Sequence, residues 1–544
     1  MIELKGKGVS QGVAVGKIRF FVRSAPAEKR GLGAETEKAR FLRAQAQTAA
    51  RLEETAAQCS DEARALFETY AQLVQDEDFA GCVLENIGRE NCSAEHAVRA
   101  AGETFAAMLA GMDDAYMQER AADVRDVARQ LIASLSGGAP DSPVLTEPVI
   151  LAADDLSPSE TVRLDRKYLL GFMTQQGSGS SHTAILARVM GVPAVCGLGD
   201  ELSTEADGRT ACMDGGTGCV TIDPDPAALE TALRAARREK EARGALEAVR
   251  GLPDETADGH RMDILCSAGS LEDVDAAIAG DGRGVGLFRS EFLYLSRTDF
   301  PSEEEQFCIY RAAAEKMAGK RVVIRTLDAG ADKQTEYFGL RREENPALGM
   351  RGVRFCLSRP EIFLAQLRAI YRASAFGNVA ALFPMIASVW EARECRRLCE
   401  AAKEQLRQRG MEFNPRMETG LMIETPASAM IADGLARETD FFSVGTNDLT
   451  QYMLACDRQS GGLERHCDPR HPAVLRAVKM AADAAHRAGV RIGVCGEMAS
   501  DRALLPALIA MGIDEVSVPP AQVLALRAEI RNLKAEECSA AGIL

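Results

Sequence analysis

Residues 177–188 read GSGSSHTAILAR and set one histidine behind a turn of glycines and serines. The glycines permit a tight turn, Ser180 or Ser181 can cap the helix that follows, and His182 then falls in its first turn. Unsatisfied backbone N–H groups at such a helix start favour an anion. A histidine of ordinary pKa is largely unprotonated at neutral pH, so its ring can attack phosphorus and the product would sit in that field. Taken alone, a serine-flanked histidine is more often structural. His96, His260, His466, His471 and His486 lack such a setting and are read as structural.

A second group is spread over the C-terminal half. Short apolar runs there end in residues that bind charge: Arg289 and Glu291, Arg325 and Asp328, Glu424, Asn447 and Asp448, Cys495 and Glu497. Arg351 and Arg458 follow in the intervening loops. Arginine donates in pairs to phosphate and carboxylate. Paired carboxylates suit Mg2+, a hard ion that takes oxygen ligands. Arginines beside a carboxylate-held metal fit a small substrate carrying both a phosphate and a carboxylate, and phosphoryl transfer needs mainly such positioning and charge stabilisation. The competing reading is an ion-pair network that merely closes one end of the fold; so many charges without a ligand would be costly.

These groups need elements to hold them. Eight strand-like runs, MDILCSA, GVGLFRSE, VVIRTLD, AALFPMI, GLMIETP, FFSVGTND, RIGVCGE and EVSVPP, alternate with helical stretches from about Met262 onward. Eight β-then-α units predict a TIM barrel, with a doubly wound sheet as the competing fold, and put the polar strand ends at one mouth. Upstream, residues 9–21 read as one or two strands. PVILAADDL, LLGFMTQQG and PAVCGLG read as further strands, and TACMD with CVTID as a hairpin around Gly215 and Gly216. Between them lies a helical stretch with apolar positions at Leu42, Ala46, Ala49, Leu52 and at Leu66, Phe67, Tyr70, Leu73. Asp225-Pro226 is a helix start, and the charged helix after it is the simplest linker. The predicted division is an α/β domain over 1–25 and 141–224, a helical bundle inserted over 26–140, a linker helix over 225–251, and the barrel over 252–544.

Composition narrows the classes. Hydrophobic residues are 46% and charged residues 26% of the 544, enough to bury large cores. The net charge of -16 argues against general binding to nucleic acid or an anionic membrane, though not against a local arginine cluster. No signal-peptide core or membrane-length apolar run is present, which predicts a cytoplasmic protein. The 15 cysteines include no CxxC pair. Cys395 and Cys399 are a weak zinc candidate, and most of the others read as small buried hydrophobes in a reducing compartment.

Taken in order, these motifs resemble the phosphoenolpyruvate-protein phosphotransferases, Enzyme I of the bacterial sugar phosphotransferase system. SPSETVRL and GSGSSHTAILAR are similar to the family's phosphohistidine region, and ERAADVRDVARQL to the close of its helical insert. GVGLFRSEFLY, RTLDAGADK, ENPALGMRGVR, GLMIETPASA, FFSVGTNDLTQY and GVCGEMASD are similar to its barrel motifs. The resemblance implies a swivelling phosphohistidine α/β domain with an inserted helical bundle, followed by a (β/α)8 barrel. It implies that His182 accepts the phosphoryl group and Thr161 orients its ring. Glu424 and Asp448 would bind Mg2+, and Arg289, Arg325, Arg351, Asn447 and Arg458, with Lys333 close by, would hold phosphoenolpyruvate. Cys495 would protonate the enolate to give pyruvate, where position alone would make it one more barrel-core cysteine. It also implies docking of the phosphocarrier HPr on the helical insert, a homodimer formed through the barrel, and a hinge after Asp223.

Three departures stand out. Gly179 takes the place of the family's arginine and Ser178 that of a glycine. Ala331 replaces a glycine, and the chain stops soon after IRNLKAEECSAAGIL, which bears on dimer strength. A pyruvate phosphate dikinase or phosphoenolpyruvate synthase would need a nucleotide-binding domain. The nitrogen-regulatory paralogue would carry an added N-terminal domain. A catalytically dead regulator would be expected to have lost His182, Glu424 or Asp448.

Overall fold

The computed structural model describes residues 1–23, 31–58, 61–111, 115–136, 145–156, 160–161, 164–165, 167–177, 187, 190–295, 297–329, 336–340, 343–458, 462–463 and 465–540. His182, Lys333, Ser178, Gly179 and Ala331 lie outside them. The chain divides into two compact units, residues 1–244 and 245–544.

The first unit is built on one mixed sheet. Its strands are β1 (Ile2–Lys5), β2 (Lys7–Ser10), β3 (Val13–Phe21), β4 (Val149–Ala153), β5 (Leu169–Thr174), β6 (Ala194–Cys196), β7 (Thr210–Asp214) and β8 (Cys219–Ile222). They run in the order β1-β8-β7-β3-β4-β5-β6-β2. Strand β4, VILAA, is buried along its whole length because both faces are covered. Ile150 and Ala152 join one core with Ile18 and Met173; Val149, Leu151 and Ala153 join the other with Phe172. Strands β7 and β8 form the hairpin read from TACMD and CVTID. Residues 9–21 hold the end of β2 and all of β3, as read from the sequence, and a further strand, β1, precedes them. Ile2–Lys5 pairs with β8 although its sequence, IELK, is half charged, because an edge strand needs only one apolar face.

Between β3 and β4 in sequence come five described helices, α1 (Ala34–Gln58), α2 (Asp61–Val74), α3 (Glu77–Glu90), α4 (Ala94–Ala110) and α5 (Ala115–Leu135). Their core includes Phe41, Leu52, Phe67, Tyr70, Phe79, Ile87 and Leu131. The stripe read on α1 holds at Ala49 and Leu52, which are buried, and fails in its first turns. Phe41, Ala44, Thr48 and Leu52 face inward, while Leu42 and Ala46 are exposed, because the larger Phe41 sets which side is buried. Helix α6 (Pro226–Glu247) starts at Asp225, whose carboxylate accepts from the Ala228 amide at 2.8 Å, and buries no residue.

The second unit is a closed barrel of eight parallel strands: β9 (Asp263–Ala268), β10 (Gly284–Arg289), β11 (Arg321–Arg325), β12 (Val379–Phe383), β13 (Thr419–Ile423), β14 (Phe441–Gly445), β15 (Arg491–Cys495) and β16 (Glu515–Val518). Each matches one of the eight runs read from the sequence. Leu287, Val323, Ala380, Leu382, Met422, Phe441 and Cys495 fill the interior. Arg321 and Arg491 meet Glu515 where the strands begin, so that end is plugged by charge. Cys395 and Cys399 are buried in the helix Val389–Gln408, and among the described residues no group of His, Cys, Asp or Glu forms a metal cage around them. Of the described cysteines, Cys219 and Cys308 are exposed and Cys82, Cys92, Cys212, Cys467 and Cys538 only partly buried, so fewer are core residues than the sequence reading expected.

Candidate active site

Parallel strands deliver their last residues to one end of the barrel, and here four of them deliver charge. Arg325 closes β11 and is buried. Its guanidinium lies 2.7 Å from Glu291, just past the end of β10, and 3.2 Å from Asp328. Arg351, also buried, donates to Asp328 at 2.9 Å, to Asp448 at 3.0 Å and to the Tyr452 hydroxyl at 3.0 Å. Tyr452 in turn donates to the Ala347 carbonyl, which fixes the loop that carries Arg351. Glu424, the residue after β13, is 1% exposed. Burial, then the nearby Asp448 and Asp328, push its carboxyl well above the usual carboxylate range despite Arg325 and Arg351.

The backbone is shaped to this cluster. Met385 adopts a φ of 59°, a left-handed conformation that a non-glycine residue rarely takes, and its amide donates to Glu424 at 2.5 Å. A Cβ on Gly445 would come within 2.6 Å of a Glu424 oxygen, so only glycine lets β14 pass the carboxylate. Gly496 has φ +93° and lies against Thr446 and Asn447. There the Asn447 side chain accepts from the Glu497 amide at 2.9 Å and Thr446 donates to the Cys495 carbonyl at 2.8 Å.

Cys495 ends β15. Its thiol donates to the Val444 carbonyl at 3.3 Å and its sulfur accepts from Ser443 at 3.5 Å. Burial, with smaller contributions from the surrounding charges, pushes the thiol up to about 11, so it stays protonated at neutral pH. Arg458 is about one-third exposed and approaches Asp448 at 3.9 Å. Arg289 is exposed, its guanidinium over the Phe292 ring at 5.2 Å. In the first unit Thr161 is buried. It follows Glu160, which grips Arg23 with both oxygens at 2.8 Å, and Arg23 also reaches Asp154 at 2.6 Å. The structure thus gathers Arg325, Arg351, Glu424 and Asp448. Asp328, Glu291 and Tyr452 were not read from the sequence as parts of one network. Asp328 and Glu291 stood at strand ends, but only the fold shows which cation each one meets.

The PEP-binding domain of PEP-utilising enzymes matches residues 243–535, their N-terminal domain residues 5–120 and their mobile domain residues 145–218. The chain is 39% identical over 538 residues to the phosphoenolpyruvate-protein phosphotransferase of Priestia megaterium, covering 98% of this chain and 94% of that one. It is 38% identical over 544 residues to that of Bacillus subtilis (strain 168), covering 99% and 95%. The chain belongs to the phosphoenolpyruvate-protein phosphotransferase family. A solved solution structure of Enzyme I aligns with 44% of this chain and 99% of its own at 32% identity, with a TM-score of 0.36.

PEP-utilising enzymes use a divalent cation, and the donors here fit one. Among the described residues no group of three or more His, Cys, Asp or Glu side chains stands ready as a cage. Glu424 and Asp448 instead offer two hard, buried carboxylates that repel one another. That set suits an ion held by one or two carboxylates, with substrate phosphate and water completing the shell. No described helix is long and apolar enough to cross a membrane.

Proposed function

We propose that this phosphotransferase takes the phosphoryl group of phosphoenolpyruvate onto His182 and passes it to a histidine phosphocarrier of the HPr type, the first step of sugar uptake by the phosphotransferase system. The observation that carries this reading is the pair of buried guanidiniums, Arg325 and Arg351, locked by Asp328 beside Glu424 and Asp448. Preorganised cations of this kind stabilise the charge that spreads over a phosphoryl group in flight. Arg325, Arg351, Arg458, Arg289 and Asn447, with Lys333, hold the substrate's phosphate and carboxylate. Glu424 and Asp448 hold Mg2+, which neutralises phosphate charge when bound.

In the transfer, the bond between phosphorus and the enol oxygen breaks and a bond from phosphorus to a His182 ring nitrogen forms. The departing enolate takes a proton at its methylene carbon from the Cys495 thiol, giving pyruvate, and solvent returns a proton to sulfur. Burial supports that role, because a thiol still protonated at pH 7 has a proton to give. Thr161 orients the His182 ring. The phosphohistidine then gives its phosphoryl group to the carrier's histidine.

The proposed domains are the phosphohistidine domain over 1–25 and 141–224, an HPr-docking bundle over 26–140, a linker over 225–251, and a barrel over 252–544 that also forms a homodimer. The protein is proposed to work in the cytoplasm. Incubation with labelled phosphoenolpyruvate and Mg2+, with and without an HPr, tests the reading. Acid-labile, base-stable label on wild type and none on His182→Ala, with passage to HPr, is the expected result. An unlabelled wild type would remove the enzyme reading and leave a regulatory carrier-binding protein.

A further inference from the structure

Strand β14, FFSVG, is buried along its whole length. Phe442 and Val444 belong to the outer core that the helices cover, while Phe441 turns into the barrel with Met422 and Cys495. Strand alternation therefore puts Ser443 on the inner side, a 5% exposed hydroxyl in an apolar interior. Its ladder neighbour in β15 is Gly493, which has no side chain, and Cys495 is the next residue on that face. The diagonal between the two strands is thus open, and the Ser443 hydroxyl donates along it to the Cys495 sulfur at 3.5 Å. Among the described residues that hydroxyl bonds nothing else. The thiol spends its own proton elsewhere, on the Val444 carbonyl at 3.3 Å. An alanine would fill the place of Ser443 without a polar atom to desolvate, so packing gives no reason for the hydroxyl.

We infer that Ser443 is a positioning residue for the proton transfer: it aims the Cys495 sulfur and holds the thiolate left when the proton goes to the enolate carbon. The inference rests on the role proposed above for Cys495. In that step the S–H bond breaks, its electron pair stays on sulfur, and the enolate's pair forms the new C–H bond as the carbonyl is restored. To give its proton the thiol must turn away from Val444. The Ser443 bond uses a sulfur lone pair and not the thiol proton, so it survives that turn. It also strengthens once the sulfur is charged, because a donor favours the ionised form of its acceptor. The surroundings leave few other groups for the task. Burial is the largest influence on the thiol and pushes it up to about 11, and the Ser443 hydroxyl is the largest one opposing it. Glu424 and Asp448 push the thiol further up, and Arg325 draws it down from across the barrel.

The test is a double-mutant cycle on the full chain with phosphoenolpyruvate, Mg2+ and an HPr, with pyruvate formation and label on His182 followed together. Ser443→Ala should lower kcat about tenfold, the scale of one charge-assisted hydrogen bond, and leave KM for phosphoenolpyruvate where it was. In a single turnover pyruvate should trail the label by a wider interval than in wild type. Ser443→Thr, which keeps the hydroxyl beside the open space at Gly493, should restore most of the rate. On a Cys495→Ala background Ser443→Ala should change nothing further, since its only route to the reaction is gone. The melting temperature of Ser443→Ala should be no lower than that of wild type. The same tenfold fall on the Cys495→Ala background, or label and pyruvate slowed equally beside a lowered melting temperature, overturns the inference. A slow Cys495→Ala beside an unimpaired Ser443→Ala overturns the role of Ser443 alone. A Cys495→Ala that forms pyruvate at the wild-type rate overturns the reading of Cys495 and this inference with it.

Discussion

Arg351 spans the mouth of the barrel, joining Asp328 at 2.9 Å to Asp448 at 3.0 Å. One planar group therefore couples the loop after β11 to the helix after β14, and the two carboxylates it touches also sit in the field of Glu424. Both ends of this bridge depend on the guanidinium fork, which a lysine ammonium cannot reproduce.

Arg351→Lys keeps the charge and loses one arm of the bridge. The expected result is a fall in kcat/KM of about tenfold to a hundredfold, matching the loss of one charged hydrogen bond. Steady-state kinetics with phosphoenolpyruvate checks it. An unchanged kcat/KM would mean that Arg351 serves only to close the barrel end.

Glu424→Gln removes a carboxylate that burial and its neighbours disfavour in its charged form. Without added cation, the variant should melt no lower than wild type, since no buried charge is lost from a favourable pair. Addition of Mg2+ should raise the melting temperature of wild type, by linkage, and leave that of the variant unmoved. Phosphoryl transfer should drop by at least about a hundredfold. Scanning calorimetry with and without the cation, beside a label-transfer assay, reads both effects.

Cys495→Ala deletes the proposed proton donor without touching the guanidiniums. Pyruvate formation should slow by about a hundredfold or more, the usual scale for general acid catalysis. Since the wild-type thiol titrates near 11, its donor form persists across the whole neutral range. The Cys495-dependent factor in the rate should therefore stay flat from neutral pH to well into the alkaline range and fall only near that value. A wild-type profile whose Cys495-dependent limb broke near the ordinary thiol value of 9.0 would contradict the burial argument.

Arg527 makes the strongest stability prediction. It is 1% exposed, bonds Asp254 at 2.5 Å and also grips Asp281. Arg527→Leu leaves Asp254 to Arg283 at 3.1 Å and Asp281 to the Gly251 amide at 2.6 Å, and should lower stability by about 2–3 kcal/mol, the scale of the charged hydrogen bonds lost. The double change of Arg527→Leu with Asp254→Asn should recover part of that loss, and denaturant unfolding of both variants decides it.

The barrel was legible because strands buried on both faces read as continuous apolar runs that glycines, prolines and charges interrupt. Val379–Phe383 and Phe441–Gly445 are plain examples. The polar ends of those runs pointed to a charged mouth. The pairing inside that mouth was not legible, because Asp328 and Asp448 lie far apart in sequence and meet only through Arg351. Neither was the strain at Met385, where nothing in FPMI signals a left-handed backbone. The stripe on α1 was right at Ala49 and Leu52 and missed at Leu42 and Ala46, because an alanine-rich helix has weak contrast between faces and Phe41 settles its first turns once tertiary contacts exist.

The helical bundle should lose stability in acid through Glu37. This side chain is fully buried and accepts from the Ala94 amide at 2.9 Å, the Leu32 amide at 3.0 Å and Arg40 at 2.6 Å. Burial opposes its ionisation, but the two amides and the guanidinium together outweigh that and hold the carboxyl below its ordinary 4.5. A lowered folded pKa means that the unfolded chain binds the proton first. Its contribution is therefore fully present above about pH 5 and drains away as pH falls through 4.5 toward the folded value. Glu37→Gln cannot titrate, so its stability should vary less between pH 6 and pH 3 than that of wild type, while at pH 7 it should be lower by about 1–3 kcal/mol. Urea unfolding of both proteins across that range, followed by helical circular dichroism, gives the comparison. Parallel pH curves would place the acid sensitivity on other carboxylates.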